Sequence, residues 1–364
     1  MKIIIENKLK WKNIFIVYLN KNNKYIKKEE LKFENKILEL DIDLNKIGFI
    51  YFTNNKIKTD KIILSEAIYK LILRYNKKTN RYDVLLDNQE NYGYIETYKL
   101  KDIANLPLTK QKTINVLLPN AYSNEKEYGL ILLLDGQNMF SIPNIGKYTK
   151  KNDPYGGWQA DVTLSSIKKL YNKEYIAVGI ETTGVERIYE LLPSKDLGKL
   201  REEAKPLLQD AVDNGLLEKT TEFIMTTVLD FIKSKYNIND NIGVCGSSAG
   251  GIAAHYIGMK YHNIFKFVLS LSPCQGFFIK EDLDIFHNNI DYNSNLPIYF
   301  YYTGAKGQLE KWIYLSNMTL IDDMISLGYD KDKFISYINK KSDHNEIAWR
   351  YAFNYALNEI EKRR

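Results

Sequence analysis

Only two cysteines, Cys245 and Cys274, occur in the 364 residues. That excludes a disulfide framework and a multi-cysteine zinc site, and fits two buried thiols in a reducing compartment. Long apolar runs are missing as well. The longest, such as Leu130 to Leu134, fall far short of the roughly 18 residues that a membrane-spanning helix needs. At the amino terminus, Glu6 interrupts Ile3, Ile4 and Ile5, so the roughly 7–15 apolar residues of a secretory leader are absent. A cytoplasmic protein with no membrane partner is expected. Charge of one sign is also scarce: 51 Lys and Arg stand against 45 Asp and Glu, a net +6. No unmixed basic block appears, and no nucleic-acid partner is expected.

Lys, Asn, Ile and Tyr are abundant, with 28 Tyr. Their codons are AT-rich, so a single Tyr carries little functional meaning. An apolar fraction of 45% and a charged fraction of 26% describe a folded chain with a sizeable core, and the length suits about two domains.

Residues 1–88 read as β-rich. Ile14 to Tyr18, Ile37 to Ile42 and Phe49 to Thr53 are short β-branched or aromatic runs between Asn-Lys clusters. A small all-β sandwich is expected. The polar tract from Asn76 to Asn91 marks the boundary. Beyond it, residues 89–364 alternate strand-like and helical segments. The strand-like runs are Thr113 to Leu118, Leu130 to Leu134, Tyr175 to Ile180, Ile242 to Cys245, Phe267 to Leu271, Ile298 to Tyr302 and Phe334 to Ile338. Several are continuously apolar, as strands covered on both faces are. With helices such as Thr221 to Lys235 between them, the pattern predicts a mostly parallel α/β sheet.

The most informative stretch is Ile242-Gly243-Val244-Cys245-Gly246-Ser247-Ser248-Ala249-Gly250-Gly251-Ile252. It places Gly246-x-Ser248-x-Gly250 between an apolar strand and a helical run. Such a sharp strand-to-helix turn strains the serine backbone and brings strand and helix nearly into contact, which requires glycine two residues either side. Ser248 is the candidate nucleophile. Ser247 is a weaker one, flanked at those positions by Cys245 and Ala249.

An activated serine needs a base, and the chain has only His255, His262, His287 and His344. His255 lies seven residues along the helix after Ser248. His262 falls at that helix's end, and His287 sits in an asparagine-rich loop. His344 follows the last strand-like run and precedes the carboxyl-terminal helix. A loop after a late strand is where the base of this architecture belongs.

Residues 92–364 resemble the esterase D, enterochelin esterase and feruloyl esterase branch of the α/β-hydrolases. The matching pieces run in order: Leu134-Asp135-Gly136-Gln137-Asn138-Met139-Phe140, Trp158-Gln159-Ala160-Asp161, Val178-Gly179-Ile180-Glu181 and Arg187-x-x-Glu190-Leu191-x-Pro193. The elbow, Phe265 to Ser272-Pro273 and His344-Asn345-Glu346-x-x-Trp349 follow. The resemblance implies an α/β-hydrolase fold and an oxyanion hole made by the backbone N–H groups of Gln137 and Ala249, with no metal or organic cofactor. Asp135 reads as a structural cap on its loop rather than a catalytic acid, and Arg187 with Glu190 as a buried pair that orders the loop rather than a direct substrate contact. In the family the acid stands three residues after the glycine that ends the strand, here the Gly307 position. Glu310 is the nearest following carboxylate. Asp343, Asp322, Asp323 or no acid at all remain the alternatives.

Within residues 1–88, Phe49-Ile50-Tyr51-Phe52-Thr53-Asn54-Asn55 and Thr59, with Trp11 and Tyr18, are loosely similar to carbohydrate-binding modules. Exposed rings there would stack on sugar faces; packed rings would be sandwich core. The charged segment Ser194 to Glu222 falls where such enzymes cover their substrate, or is a surface excursion. A serine carboxylic-ester hydrolase is the leading expectation, acting on an acylated carbohydrate or a siderophore-type ester. The rival is a non-catalytic carbohydrate- or partner-binding protein on a degenerate hydrolase scaffold.

Overall fold

The computed structural model describes residues 1–77, 80–87, 92–101, 111–141, 157–182, 186–196, 199–273, 275–278, 290–292, 294–339 and 342–364. Cys274 and His287 lie outside these residues. The chain forms two compact units. One comprises Met1–Gly93, Asn138–Glu174 and Asn339–Arg364, the other Tyr94–Gln137 and Tyr175–Ile338.

Among its described residues the first unit holds eight strands: β1 (Lys2–Asn7), β2 (Ile14–Leu19), β3 (Tyr25–Leu31), β4 (Ile37–Asp41), β5 (Phe49–Thr53), β6 (Ile62–Ile63), β7 (Lys70–Asn76) and β8 (Arg81–Asp87). They make two four-stranded sheets, in the orders β4-β1-β7-β8 and β3-β2-β5-β6. Alternation drives burial here: Ile3 and Ile5 on β1 and Leu71 and Leu73 on β7 are fully buried, two residues apart. Strand β8 lies inside the tract read from sequence as a polar boundary. It pairs antiparallel with β7 from Lys70–Asp87 to Asn76–Arg81. Of the two readings of the aromatic rings, sugar stacking or sandwich core, most of the rings follow the second. Tyr18, Phe49 and Phe52 are buried, and Trp11 packs on Tyr82 with centroids 4.8 Å apart. Helices Ala160–Tyr171 and Glu346–Lys362 also belong to this unit.

The second unit is built on one eight-stranded sheet: β9 (Gly93–Leu100), β10 (Lys112–Pro119), β11 (Tyr128–Leu134), β12 (Tyr175–Ile180), β13 (Ile238–Ser247), β14 (Phe267–Leu271), β15 (Ile298–Thr303) and β16 (Phe334–Ile338). Their order is β16-β15-β14-β13-β11-β12-β10-β9. Strands β11 to β16 run parallel, and β10 pairs antiparallel with β12. Every residue of β11, β12 and β14 is buried, which explains their almost wholly apolar sequences, broken only by Ser270 in β14. The connection from β12 to β13 crosses β11. The carboxyl ends of β11 and β13 therefore flank the switch in strand order, where open α/β sheets place their ligands. The segment Thr221 to Lys235, expected as one helix, consists of helix Leu217–Phe223, a π turn at Ile224–Val228 and helix Leu229–Lys235. No helix among the described residues is long and apolar enough to cross a membrane.

Candidate active site

Strand β13 ends at Ser247, and helix Ala249–Lys260 begins two residues later. Ser248 makes the turn alone, at φ 57° and ψ −123°. A serine at positive φ costs about 1–3 kcal/mol, so the surroundings must hold it there. They do so by hydrogen bonds: Ser248 N–H donates to Leu271 O at the end of β14 (2.9 Å), and Gly251 N–H donates to Ser248 O (2.9 Å). A Cβ on Gly246 would stand 2.1 Å from Gly250 O, so only glycine fits. At Gly250 the nearest atom to such a Cβ is Asp135 Oδ2 at 3.2 Å, a side-chain neighbour rather than backbone. Ser248 is half-buried at the apex, whereas Ser247 is 2% exposed and still paired within the sheet, opposite Leu271.

Asp135 follows β11 with φ 59°, and Gly136–Asn138 form a single 3₁₀ turn. A Cβ on Gly136 would meet the backbone of Gly179 at 2.2 Å, so this loop lies directly on β12. Four side chains fix it. Arg187 donates from Nε and Nη2 to the two oxygens of Asp135 (2.5 and 2.6 Å). Thr182 Oγ1 donates to Asp135 Oδ1 (2.6 Å), and Thr182 N–H donates to Gln137 Oε1 (3.1 Å). Asp135 thus ties this loop to Thr182 and Arg187. The expected Arg187–Glu190 pair is not formed. Three residues apart on helix Glu186–Leu191, they take different partners: Glu190 is fully buried and binds Lys112. Burial pushes the Glu190 carboxyl above the usual range, and the Lys112 ammonium opposes that rise. Lys112 Nζ also donates to Glu181 O (3.1 Å), and Asn115 Nδ2 to Glu181 Oε1 (2.7 Å). The Glu181 carboxyl is likewise raised by burial.

The backbone N–H groups of Gln137 and Ala249 stand in the first turn of their helices, where no intrahelical carbonyl is in reach. Glu310 lies in the first turn of helix Gly307–Ser326, which starts directly after β15, and is 1% exposed. Its Oε2 accepts from Gly304 N–H (2.5 Å) and Thr303 Oγ1 (3.2 Å). Ser248, Gln137 and Glu310 thus occupy the carboxyl ends of three strands of one mostly parallel sheet. The segment from Ser194 docks at the same edge: Arg201 N–H donates to Phe277 O (2.9 Å) and Arg201 Nε to Phe278 O (3.1 Å), just after β14.

His344 belongs to the other unit, six residues beyond β16 in the chain. It is half-buried, and its ring meets Trp349 edge-on with centroids 4.9 Å apart. Asn345 caps the following helix, its Oδ1 accepting from Ala348 N–H (3.1 Å). The other described histidines are engaged elsewhere. His255 is fully buried with Nδ1 2.9 Å from Tyr299 Oη, and His262 Nδ1 is 3.0 Å from Met259 O.

The family described as "Putative esterase" matches residues 107–360. The chain belongs to this esterase family. Its reaction is the hydrolysis of a carboxylic ester, and the enterochelin and feruloyl esterase likeness read from sequence stands. The solved structures it resembles include an IroE-like serine hydrolase from Shewanella oneidensis (16% identity, 74% of this chain and 80% of that one, TM-score 0.55). A feruloyl esterase module from Clostridium thermocellum is similar too (15%, 75% and 89%, TM-score 0.53). So is the enterobactin esterase FES from Shigella flexneri (15%, 79% and 68%, TM-score 0.52). At these identities they share the α/β-hydrolase fold of the esterase family. No curated protein matches the chain in sequence.

Proposed function

We propose that this esterase works through an acyl-enzyme on Ser248, with His344 as base and Glu310 as the acid that orients it. Ser248 Oγ attacks the ester carbonyl while His344 takes its proton and then delivers it to the leaving alcohol. Water, activated by the same imidazole, releases the acid. The negative charge on the carbonyl oxygen is met by the amides of Gln137 and Ala249, each worth roughly 3–4 kcal/mol in the transition state. The backbone of Ser248 carries this reading. A strained serine at the apex of a strand–turn–helix, with Gly246 sterically obligatory, serves no folding purpose that an unstrained turn would not serve better. Burial of Glu310 at the carboxyl end of β15 supports it as the anion, one turn beyond the glycine at position 307.

The substrate is a small-molecule or carbohydrate ester, an acylated sugar or a siderophore-type ester, met in the cytoplasm. The test is Ser248→Ala assayed on p-nitrophenyl acetate and on feruloyl and catecholate-lactone esters. The variant should stay folded and lose turnover on all of them. Turnover at the wild-type rate would remove Ser248 from the mechanism.

A further inference from the structure

The amino-terminal strands share their compact unit with residues 339–364, the segment that carries His344. The contact runs through one strand. β8 is the last strand of its sheet, so one row of its backbone groups has no strand partner. Val84 and Leu86 are two residues apart, and their outward groups point the same way. All three of those that are bonded go to side chains of the esterase segments. Leu86 N–H donates to Gln159 Oε1 (2.9 Å), and Gln159 Nε2 donates to Leu86 O (2.7 Å), the reciprocal pair of a strand neighbour. Val84 O accepts from Arg350 Nη1 (3.0 Å) and from Tyr351 Oη (2.5 Å).

Arg350 is fully buried, and its Nε and Nη2 also reach Gly157 O (2.9 and 2.7 Å). It joins the β8 edge to the chain before helix Ala160–Tyr171. Its neighbour Trp349 carries the ring against which His344 rests, and Trp349 leans on Trp158 (6.2 Å). On the other side of His344, Asp343 pairs with Arg81, the first residue of β8 (3.6 Å). The base segment is thus fastened to β8 both before and after the histidine. Further along the same helix, Asn354 meets Ser65 (2.5 Å), and Lys362 meets Glu66 (3.1 Å).

From this juxtaposition we propose that the edge of β8 is the jig that sets the position of His344. Gln159, Arg350 and Tyr351 are positioning residues for the base, and the amino-terminal strands are part of the catalytic scaffold rather than a detachable module. The inference rests on His344 being the base. The bonds at Val84 and Leu86 fix the start of helix Glu346–Lys362, and Trp349 passes that placement to the imidazole.

The experiment uses the full-length chain and p-nitrophenyl acetate as probe. Tyr351→Phe, Gln159→Met and Arg350→Met are compared with Thr59→Val, which removes a buried hydroxyl bonded to Phe52 N–H (3.0 Å) in the other amino-terminal sheet. The graded set guards against loss of folding in Arg350→Met. Folded β8-edge variants should lose kcat by about ten- to a hundred-fold, the cost of roughly 1 Å of misplacement, with KM within about twofold. Thr59→Val should lower the melting temperature and keep kcat. Unchanged kcat in Tyr351→Phe and Gln159→Met, with His344→Asn inactive, would overturn the positioning role alone. An active His344→Asn would instead overturn the base assignment on which it rests.

Discussion

Replacing Arg187 by Met isolates the clamp on the loop that carries the proposed oxyanion donor, the Gln137 amide. The substitution keeps much of the stem and deletes two hydrogen bonds of 2.5 and 2.6 Å to Asp135. The Asp135 side chain is 4% exposed and the Arg187 side chain 30%. Breaking a fully buried pair costs about 3–5 kcal/mol, and the partial exposure of the guanidinium brings the expected loss to about 2 kcal/mol. Thr182 Oγ1 still holds Asp135 at 2.6 Å, so the loop should stay folded but loosen. The catalytic effect is separate. Removing an oxyanion donor outright costs about 10²–10³ in kcat. A displaced Gln137 amide should cost about a hundredfold, or about 2.7 kcal/mol of transition-state stabilisation. Steady-state kinetics with p-nitrophenyl acetate and a thermal melt measure both. The expected result is a lower kcat, a nearly constant KM and a modestly lower melting temperature. Arg187→Lys, which keeps the charge without the fork, should fall between. A lowered melting temperature with wild-type kcat would refute the argument: the clamp would then be purely structural, and the Gln137 amide would not be a donor to the oxyanion.

Three further outcomes follow from particular contacts. Gly246→Ala puts a Cβ 2.1 Å from a backbone carbonyl that cannot move without dragging the elbow, so activity on any ester should collapse even where the circular dichroism spectrum survives. Glu310→Gln should lower kcat by about 10³-fold or more, because losing the orienting anion of such a triad costs up to about 10⁴; a wild-type rate would mean that the acid is elsewhere. Burial raises the Asp161 carboxyl despite its bonds from Ser141 N–H (2.8 Å) and Ser141 Oγ (2.6 Å). The folded state therefore holds that proton more tightly than the unfolded chain, and the stability it contributes is lost as pH rises through the folded value. The melting temperature of Asp161→Asn relative to wild type should thus climb from about pH 4 upward, the ordinary aspartate range; a flat or falling difference would contradict the sign.

The large sheet was legible because its central strands are covered on both faces. Leu130 to Leu134 is an unbroken apolar run and Phe267 to Leu271 is broken only by Ser270, and each lies in a strand. The elbow was legible for a steric reason, since glycine at position 246 is the only residue whose backbone can pass under Gly250. The β7–β8 hairpin was not. The sequence from Asn76 to Arg81 carries Asn, Lys, Thr and Arg, and only one face of the strands is apolar, so the tract from Asn76 read as the place of a domain boundary. The Asp135–Arg187 and Lys112–Glu190 pairs were not legible either. Arg187 and Glu190 lie within one turn of a helix and look like partners. The register of β10, β11 and β12 gives each a different counter-ion. Nor does the sequence show that the strands before residue 88 hold the segment after residue 339. The bonds are to backbone groups of Val84 and Leu86, which any residue type would supply.

The most direct test of the central claim is the mass of the protein after reaction with a p-nitrophenyl phosphonate ester. One covalent adduct per chain is expected, mapped by peptide sequencing to Ser248, with labelling slowed by orders of magnitude in His344→Asn. An adduct on another residue, or no adduct in a preparation that still hydrolyses esters, would contradict it.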